Sequence, residues 1–182
     1  MRFTAAIATL ILLASPAFAE GLDIPEGGYV VSDDLSQLPE AVRTKRDALL
    51  AAARAADMDA IKAIMDKEPM PVTVSFGGPD DPIAYLKEAS ADGEGREVLA
   101  ILADLLEAPF AAMDGGDGEP VYVWPYLAAS DDLSKMTPAD EVVAMQLLGF
   151  EGMKNERELG AWYSWRTFIG ADGEWQAFVA GD

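Results

Sequence analysis

The sequence predicts an α+β fold, in which an N-terminal helical hairpin and further helices pack on a small antiparallel sheet closed by a C-terminal hairpin. Three observations support this class. Apolar residues recur at helical spacing in the first half of the chain, short β-branched and aromatic runs follow, and Asp172-Gly173 separates two aromatic-rich runs near the end. We expect residues 37–182 to form a single domain, preceded by an acidic lead-in arm at residues 20–36.

Two helices are predicted directly after the arm. Pro39 suits the first position of a helix, and apolar residues repeat at helical spacing as far as residue 56. Asp57 can cap a second, shorter helix that ends before Pro69. Because so little chain separates them, these two helices are expected to form the helical hairpin.

Further helices are predicted along the chain. A short one begins at Asp81-Pro82, and the stretch GREVLAILADLLEAPF carries an apolar stripe that ends at Pro109. Thr137-Pro138-Ala139-Asp140 combines an N-cap, a proline at the first helical position and an acid at the third. This pattern predicts a helix to about Leu148, which Gly149 ends.

Short β-branched or aromatic runs predict strands before the closing hairpin. These runs are Tyr29-Val30-Val31, VTVSFGG at residues 72–78 and VYVWPY at residues 121–126. Pro125 confines the last of them to a sheet edge or a bend, because proline donates no ladder hydrogen bond. Residues 113–120 are predicted to be a loop.

Asp172-Gly173 tolerates positive φ at both positions, so it predicts a tight turn between strands at residues 163–169 and 175–180. With a two-residue loop, strand alternation places Trp165, Ile169 and Phe178 on one face, and Arg166, Phe168 and Trp175 on the other. A three-residue loop would shift one strand against the other, so the grouping depends on the turn.

The N-terminal stretch MRFTAAIATLILLASPAFAE has the parts of an export signal. Arg2 precedes an apolar run, and Ala17 and Ala19 place small residues at the two positions that a signal peptidase reads. A transmembrane anchor is the alternative, but the run is shorter than the roughly 20 apolar residues that span a bilayer. We expect residues 1–19 to be a signal peptide cleaved after Ala19, which makes the protein periplasmic or secreted.

The charge balance narrows the choice of partners. The chain has 13 Lys+Arg against 32 Asp+Glu and a formal net charge of −19 at pH 7. Such a surface repels phosphate backbones and anionic membranes, so we expect no nucleic-acid partner and no membrane insertion after signal removal. An unknown protein or small-molecule ligand is the expected partner, with basic proteins and cations favoured. The chain has no cysteine and hence no disulfide, which suits a Gram-negative periplasm.

The chain also contains no histidine. Ser-His-Asp and Cys-His nucleophilic systems, and histidine-ligated zinc or haem, are therefore excluded. Carboxylates are plentiful, and the pairs Asp33-Asp34, Asp80-Asp81 and Asp131-Asp132 are candidates for the acid and base of glycoside cleavage. Neighbouring side chains usually point apart, so solvated surface charge is the simpler interpretation, and no catalytic residue is assigned.

One loop has the composition of a calcium site. Asp114, Asp117 and Glu119 offer oxygen ligands on a glycine-rich segment, although the EF-hand pattern is absent. A turn without metal is the alternative. No cofactor other than calcium is indicated.

Arg166 is the leading ligand-binding candidate, because it lies among aromatic residues in the closing hairpin. With Tyr163 and Trp165, or with Trp162 and Trp175, it can line a pocket for a small carboxylate ligand, and Trp124 can join the wall of that pocket. A structural ion pair or an edge position is the alternative for Arg166, and the tryptophans can equally be core.

The ending IGADGEWQAFVAGD, with VYVWPYLA and LSKMTPADE upstream, resembles an uncharacterised family of exported bacterial proteins. In that family an Ile-Gly-x-Asp-Gly-x-Trp hairpin closes the chain. The resemblance implies no activity, cofactor or catalytic residue. N-terminal helices followed by a sheet with two apolar faces are also loosely similar to the cone-shaped NTF2-like α+β folds, although here a helix at residues 137–148 interrupts the strands.

Together these patterns favour a non-enzymatic binding or accessory module of the bacterial periplasm. The alternative is a carboxylate-dependent hydrolase acting on envelope glycans, which needs two carboxyls from different elements about 5 to 10 Å apart in one cleft. A partner-binding subunit would instead expose a contiguous apolar patch.

The signal peptide is directly testable. Protein recovered from the periplasm is expected to have the intact mass of a chain that begins at Glu20. Ala19→Arg should block cleavage because the peptidase accepts only a small residue there, whereas Ser15→Ala should be processed normally. Recovery of exported protein that retains residues 1–19 would contradict the assignment.

Overall fold

The computed structural model of the chain describes residues 22–116 and 118–181, so the predicted signal peptide and its cleavage site lie outside the described residues. Its helices are α1 (Glu40–Arg54), α2 (Met58–Met65), α3 (Pro82–Glu88), α4 (Arg96–Glu107) and α5 (Pro138–Leu159). Its strands are β1 (Tyr29–Ser32), β2 (Phe110–Asp114), β3 (Pro120–Trp124), β4 (Arg166–Gly170) and β5 (Trp175–Val179). The predicted α+β class and the closing hairpin, formed by β4 and β5, are confirmed.

The strands form an antiparallel sheet in the order β1-β2-β3-β4-β5, and each strand pairs with the next along the chain. One face of the sheet, the helix face, packs against α1 and α4. Its largest side chains are almost fully buried: Phe110, Tyr122, Trp124, Ile169, Trp175 and Phe178. Burying one large apolar side chain contributes about 1.5 to 3 kcal/mol, so this layer is a substantial part of the core.

A buried arginine joins the two helices that cover the sheet. The Nε of Arg46, on α1, donates to the carbonyl oxygen of Leu106 at 2.9 Å, and its Nη1 lies 2.6 Å from Asp47 Oδ1. The last carbonyls of a helix have no partner within the helix. Arg46 therefore supplies a hydrogen-bond donor to a buried carbonyl at the end of α4, and the carboxylate of Asp47 balances the charge of its guanidinium.

The opposite, outer face of the sheet is only partly covered. A 3₁₀ turn at Tyr126–Ala129 packs against Ala111 and Val123 in the middle of this face. At the β1 end, the side chains of Tyr29 and Val31 stay 36% and 44% exposed. The sheet thus has apolar residues on both faces, but solvent reaches one of them.

The predicted lead-in arm supplies β1, the first strand of the sheet. Leu22, Ile24 and Leu35, which flank that strand, pack against the main core. This stretch is therefore attached to the domain at both ends of β1.

The predicted strand at residues 72–78 is wrong. Only Thr73 pairs with the sheet: its N donates to the carbonyl oxygen of Gln176 at 3.0 Å, and its own carbonyl oxygen accepts from the N of Phe178 at 2.9 Å. The hydroxyl of Ser75 accepts from the N of Gly77 at 3.1 Å, and this local turn competes with a ladder. The segment therefore covers the free edge of β5 at one point and then turns away.

The two-residue turn of the closing hairpin is also wrong. The N of Gly170 donates to the carbonyl oxygen of Glu174 at 2.9 Å, so the loop has three residues, and Gly173 adopts φ +87° in it. A bulge at Gln176 then restores the predicted pairing, from Phe168 with Ala177 outward. Only Trp175 changes side as a result, and it joins Ile169 on the helix face.

Of the two places predicted for β3, a sheet edge or a bend, the structure has the bend at Pro125. β3 pairs with both β2 and β4, so it is a central strand rather than an edge. Pro125 directly follows Trp124, the last residue of β3, so it occupies no ladder position. The proline therefore ends the strand in a bend without forcing the strand to a sheet edge. β2 was not predicted: it begins directly after Pro109, and its last residues lie in the segment expected to be a loop.

α5 bends sharply at Gly149, whose φ of 71° and ψ of 177° are not helical. Nη1 of Arg157 lies 2.6 Å from Oε1 of Glu141, 16 positions earlier in the chain. In a straight helix those positions would be about 24 Å apart, so residues 150–159 fold back on residues 138–148. The helix end at Gly149 is confirmed, whereas the second segment was not predicted. The two segments share a second, smaller core: Leu127, Leu133, Ala144, Met153 and Trp162.

Gly173 and Gly78 both have positive φ, and we expect substitution by alanine to destabilise the fold more at Gly173 than at Gly78. A Cβ at Gly173 would lie 2.9 Å from the carbonyl oxygen of Ala41 on α1, whereas a Cβ at Gly78 would meet nothing within 4 Å. Gly78→Ala should lose about 1 kcal/mol of unfolding free energy for its backbone conformation alone. Gly173→Ala should lose about 1 to 3 kcal/mol more, because α1 must also move. Urea unfolding measures both, and equal losses would contradict the close approach.

Candidate functional site

The predicted ligand-binding residues lie on different sides of the sheet. Trp124 is fully buried on the helix face, and its Nε1 has no hydrogen-bond partner among the described residues. Trp165 packs on Phe178, with ring centroids 4.5 Å apart, and lines an apolar cavity of about 320 Å³. Tyr163 is 37% exposed, and its N donates to Oε2 of Glu156 at 2.6 Å. These residues are therefore not the walls of one pocket.

Arg166 lies on the outer face, where it organises the chain around it. Its Nη2 donates to the carbonyl oxygen of Gly181 at 2.8 Å, and its Nη1 reaches the carbonyl oxygens of Trp162 and Ser164 at 3.3 and 3.4 Å. The guanidinium carbon lies 6.0 Å from the ring centroid of Phe76. These contacts join the start of β4 to the last described residue, Gly181. The side chain of Arg166 therefore has a structural role whether or not it also binds a ligand.

The predicted calcium ligands belong to the β2–β3 connection. Asp114 Oδ1 accepts from the N of Gly116 at 2.9 Å, and the N of Gly115 donates to the carbonyl oxygen of Glu119 at 3.0 Å. Asp117 lies outside the described residues. Among the residues that the structure does describe, no three His, Cys, Asp or Glu side chains are grouped to hold a metal ion. Calcium binding therefore stays a prediction.

A groove of about 500 Å³ runs between α1, the end of α2 and the β4–β5 turn. Glu68 closes its floor, with a side chain that is 2% exposed. Its Oε1 accepts from Nζ of Lys45, and its Oε2 accepts from the N of Trp175 at 3.1 Å. Both carboxylate oxygens are thus engaged within the fold. Removing one partner of such a buried pair is strongly destabilising. We therefore interpret Glu68 as a structural residue that holds α1 and β5 to the end of α2.

A second cavity, the acidic cleft, has a volume of about 400 Å³ and lies beside β1. Its walls come from β1, the Tyr126–Ala129 turn, residues 130–136 and the start of α5. Aromatic, apolar and acidic side chains face each other across it: Tyr29, Val31, Tyr126, Met136, Asp131, Asp132 and Asp140. The cleft therefore joins an apolar strand edge to a group of carboxylates.

Asp140 anchors one wall of the acidic cleft. Its Oδ2 accepts from both the N and the Oγ1 of Thr137 at 2.8 Å, which completes the predicted capping box of α5. Its Oδ1 accepts from the hydroxyl of Tyr126. Burial acts to raise the pKa of Asp140, but the hydrogen bonds from Tyr126 and Thr137 outweigh it and lower the pKa overall. For Tyr126, burial and then the bond to Asp140 raise the pKa.

In the acidic cleft, Asp132 and Asp140 do not have the properties of an acid and base pair. Lys135 and Ser134 hydrogen-bond to Asp132 and lower its pKa to about 2, and the pKa of Asp140 is also lowered. Glycoside cleavage needs one carboxyl with a raised pKa to protonate the leaving group. The ionised carboxylates here are suited instead to attracting a cation.

The β1 edge of the sheet adjoins the acidic cleft, and sequence reasoning missed it as a site. Backbone hydrogen bonds from Tyr29–Ser32 run to β2 alone within the described part of the chain. The exposed Tyr29 and Val31 stand on the outer face beside this edge. The only signal in the sequence was the short run Tyr29-Val30-Val31, which looks the same in a paired strand and in an exposed one.

No protein-family model matches the chain, and neither a curated protein nor a solved structure matches it. Across residues 22–116 and 118–181, no helix is long and apolar enough to cross a membrane. The family resemblance stays a prediction.

The lowered pKa of Asp140 predicts a pH-dependent contribution to stability. A carboxyl whose pKa is lower in the folded state stabilises the fold above its unfolded pKa of 3.8, and this contribution is lost as the pH falls through the folded pKa. Asp140→Asn should therefore lose about 1 kcal/mol at neutral pH, where a charged acceptor becomes a neutral one. In strong acid the gap to the parent should close.

Urea unfolding at both pH values measures this effect, and Tyr126→Phe is the matched control because it removes the donor but leaves the carboxyl. The double variant should lose less than the sum of the two single losses, since the groups share one hydrogen bond. A gap that stays the same at every pH would contradict the role of the ionised Asp140.

Proposed function

We propose that the protein is a non-enzymatic binding or accessory module of the bacterial periplasm, and that it binds a protein partner at the β1 end of the outer sheet face. The observation that carries the proposal is the exposure of Tyr29 and Val31 on a strand edge beside the acidic cleft. Exposed apolar residues next to unpaired strand backbone are features of protein-interaction sites.

The chemistry of the chain supports a binding role. It has no histidine and no cysteine. In the acidic cleft, the carboxyls of Asp132 and Asp140 serve as hydrogen-bond acceptors for Tyr126, Thr137, Ser134 and Lys135. A side chain committed to capping and ion pairs is poorly placed to take up and release a proton during turnover. The alternative, a carboxylate-dependent hydrolase of envelope glycans, therefore has less support.

The export signal supports the location. Ala17 and Ala19 form a cleavage pattern after an apolar run, and the whole chain carries a formal net charge of −19. Within the described ranges the fold contains no helix able to cross a membrane. An anionic module of this kind is suited to partners with basic surfaces in the cell envelope.

Site-specific photocrosslinking in cells tests the proposal. Benzoylphenylalanine in place of Tyr29 is expected to give a discrete adduct with an envelope protein. The same residue in place of Phe150 is the matched control, because Phe150 is an aromatic residue that is 61% exposed at the bend of α5. The adduct should disappear when Val31→Lys is added to the Tyr29 probe. No adduct at Tyr29, or the same adducts at both positions, would contradict a binding site at β1.

A further inference from the structure

Resting on the proposed function, we infer that β1 binds its partner by strand addition, and that the added segment is extended and cationic. The two edges of the sheet differ in how they are protected. At β5, Thr73 takes up backbone hydrogen bonds with Gln176 and Phe178. At β1, the outer backbone groups have no backbone partner among the described residues. The β5 edge is thus covered at one point, whereas the outer edge of β1 is unpaired in the described part of the chain.

The geometry of β1 sets what an added strand would meet. A new strand would lie about 4.8 Å from β1, with alternate side chains on the two faces of the sheet. On the outer face those side chains would lie beside Tyr29 and Val31 and over the mouth of the acidic cleft. Main-chain hydrogen bonds would supply affinity, and the alternate side chains would supply specificity.

Charge selects a cationic segment. Among the described residues, the carboxylates of Asp33, which follows β1, and Asp131, in the acidic cleft, make no hydrogen bond and no ion pair. Asp132, in contrast, is paired with Lys135. Two unpaired carboxylates near one strand edge attract Lys or Arg side chains of an incoming segment. The neighbouring Tyr29 can in addition contact such a cation with its ring.

A second copy of this chain is the competing occupant of the edge. β1 could in principle pair with β1 of another molecule. Each copy carries a formal net charge of −19, and Asp33 and Asp34 follow the strand directly, so two such edges repel each other. The occupant we infer is therefore a basic segment of a different protein.

Titration of the mature protein with a short blocked peptide of alternating lysine and valine tests strand addition. Backbone amide signals of Tyr29–Ser32 are expected to shift on binding, and a matched peptide of alternating glutamate and valine should leave them unchanged. N-methylation of every second peptide amide is the decisive control. Methyl groups on the set facing β1 should abolish binding, and methyl groups on the other set should not, because only one set of amides pairs with an edge strand.

Charge neutralisation tests the cationic specificity. Asp33→Asn with Asp131→Asn should weaken binding of the lysine peptide roughly three- to tenfold, the effect of two exposed ion pairs. Asp59→Asn with Glu151→Gln removes the same charge from exposed positions on α2 and α5 and should leave the affinity unchanged. Equal weakening by both pairs, or equal loss from either N-methyl set, would overturn the inference.

The outcomes also separate this inference from the proposed function. A crosslink at Tyr29 without peptide binding would retain a partner site and overturn strand addition. Concentration-dependent dimers seen by sedimentation, with the same amide shifts at β1, would identify a second copy as the occupant and overturn the cationic segment. Peptide binding without a crosslink in cells would retain the edge chemistry and count against a periplasmic partner.

Discussion

Much of the structure depends on one buried hydrogen bond, which the indole Nε1 of Trp175 donates to the hydroxyl of Thr167 at 2.8 Å. The same hydroxyl donates to the carbonyl oxygen of Ala177 at 2.8 Å, so both polar groups are satisfied in an apolar core. The main-chain N of Trp175 donates to the buried carboxylate of Glu68. One residue therefore fixes the register of β5, its bulge and the position of the α2 end. In a chain without disulfides, such a satisfied network helps to define a single packing arrangement.

The fold uses its irregular segments to protect some surfaces and leave others open. The Tyr126–Ala129 turn covers the middle of the outer face, and Thr73 covers the β5 edge. Neither reaches β1. The acidic residues around that strand discourage pairing with like-charged chains, so the unpaired edge does not favour self-association. In the binding mode that we propose, the same arrangement leaves a place for an oppositely charged segment, so one feature both limits self-association and recognises a partner.

The sequence was informative where local patterns decide the structure. Three helices begin close to the positions that Pro39, Asp57 and Thr137 predicted, because capping interactions act within a few residues. It was uninformative where distant residues decide. Glu68 and Trp175 are 107 positions apart, and no local pattern announces their contact.

The candidate site was harder to predict than the fold for a related reason. Trp175 was assigned to the wrong face because the hairpin has a loop one residue longer than predicted and a bulge at Gln176. The two effects cancel for the pairs from Phe168–Ala177 away from the turn, but not for Trp175, which lies between the loop and the bulge. Trp124 and Arg166 were predicted to line one pocket. Strand alternation instead places them on opposite faces of the sheet. The open edge of β1 depends on which segments fail to cover it, and that property belongs to the tertiary structure alone.

The reversal of α5 at Gly149 has a practical consequence. The turn places Phe150 at a solvent-exposed tip, and a Cβ added to Gly149 would meet nothing within 4 Å. Exposed tips whose ends lie close together tolerate foreign sequence well, because the inserted residues disturb no packed neighbour. An affinity tag or a fluorescent label can therefore be inserted there, leaving both chain termini and the β1 edge unaltered.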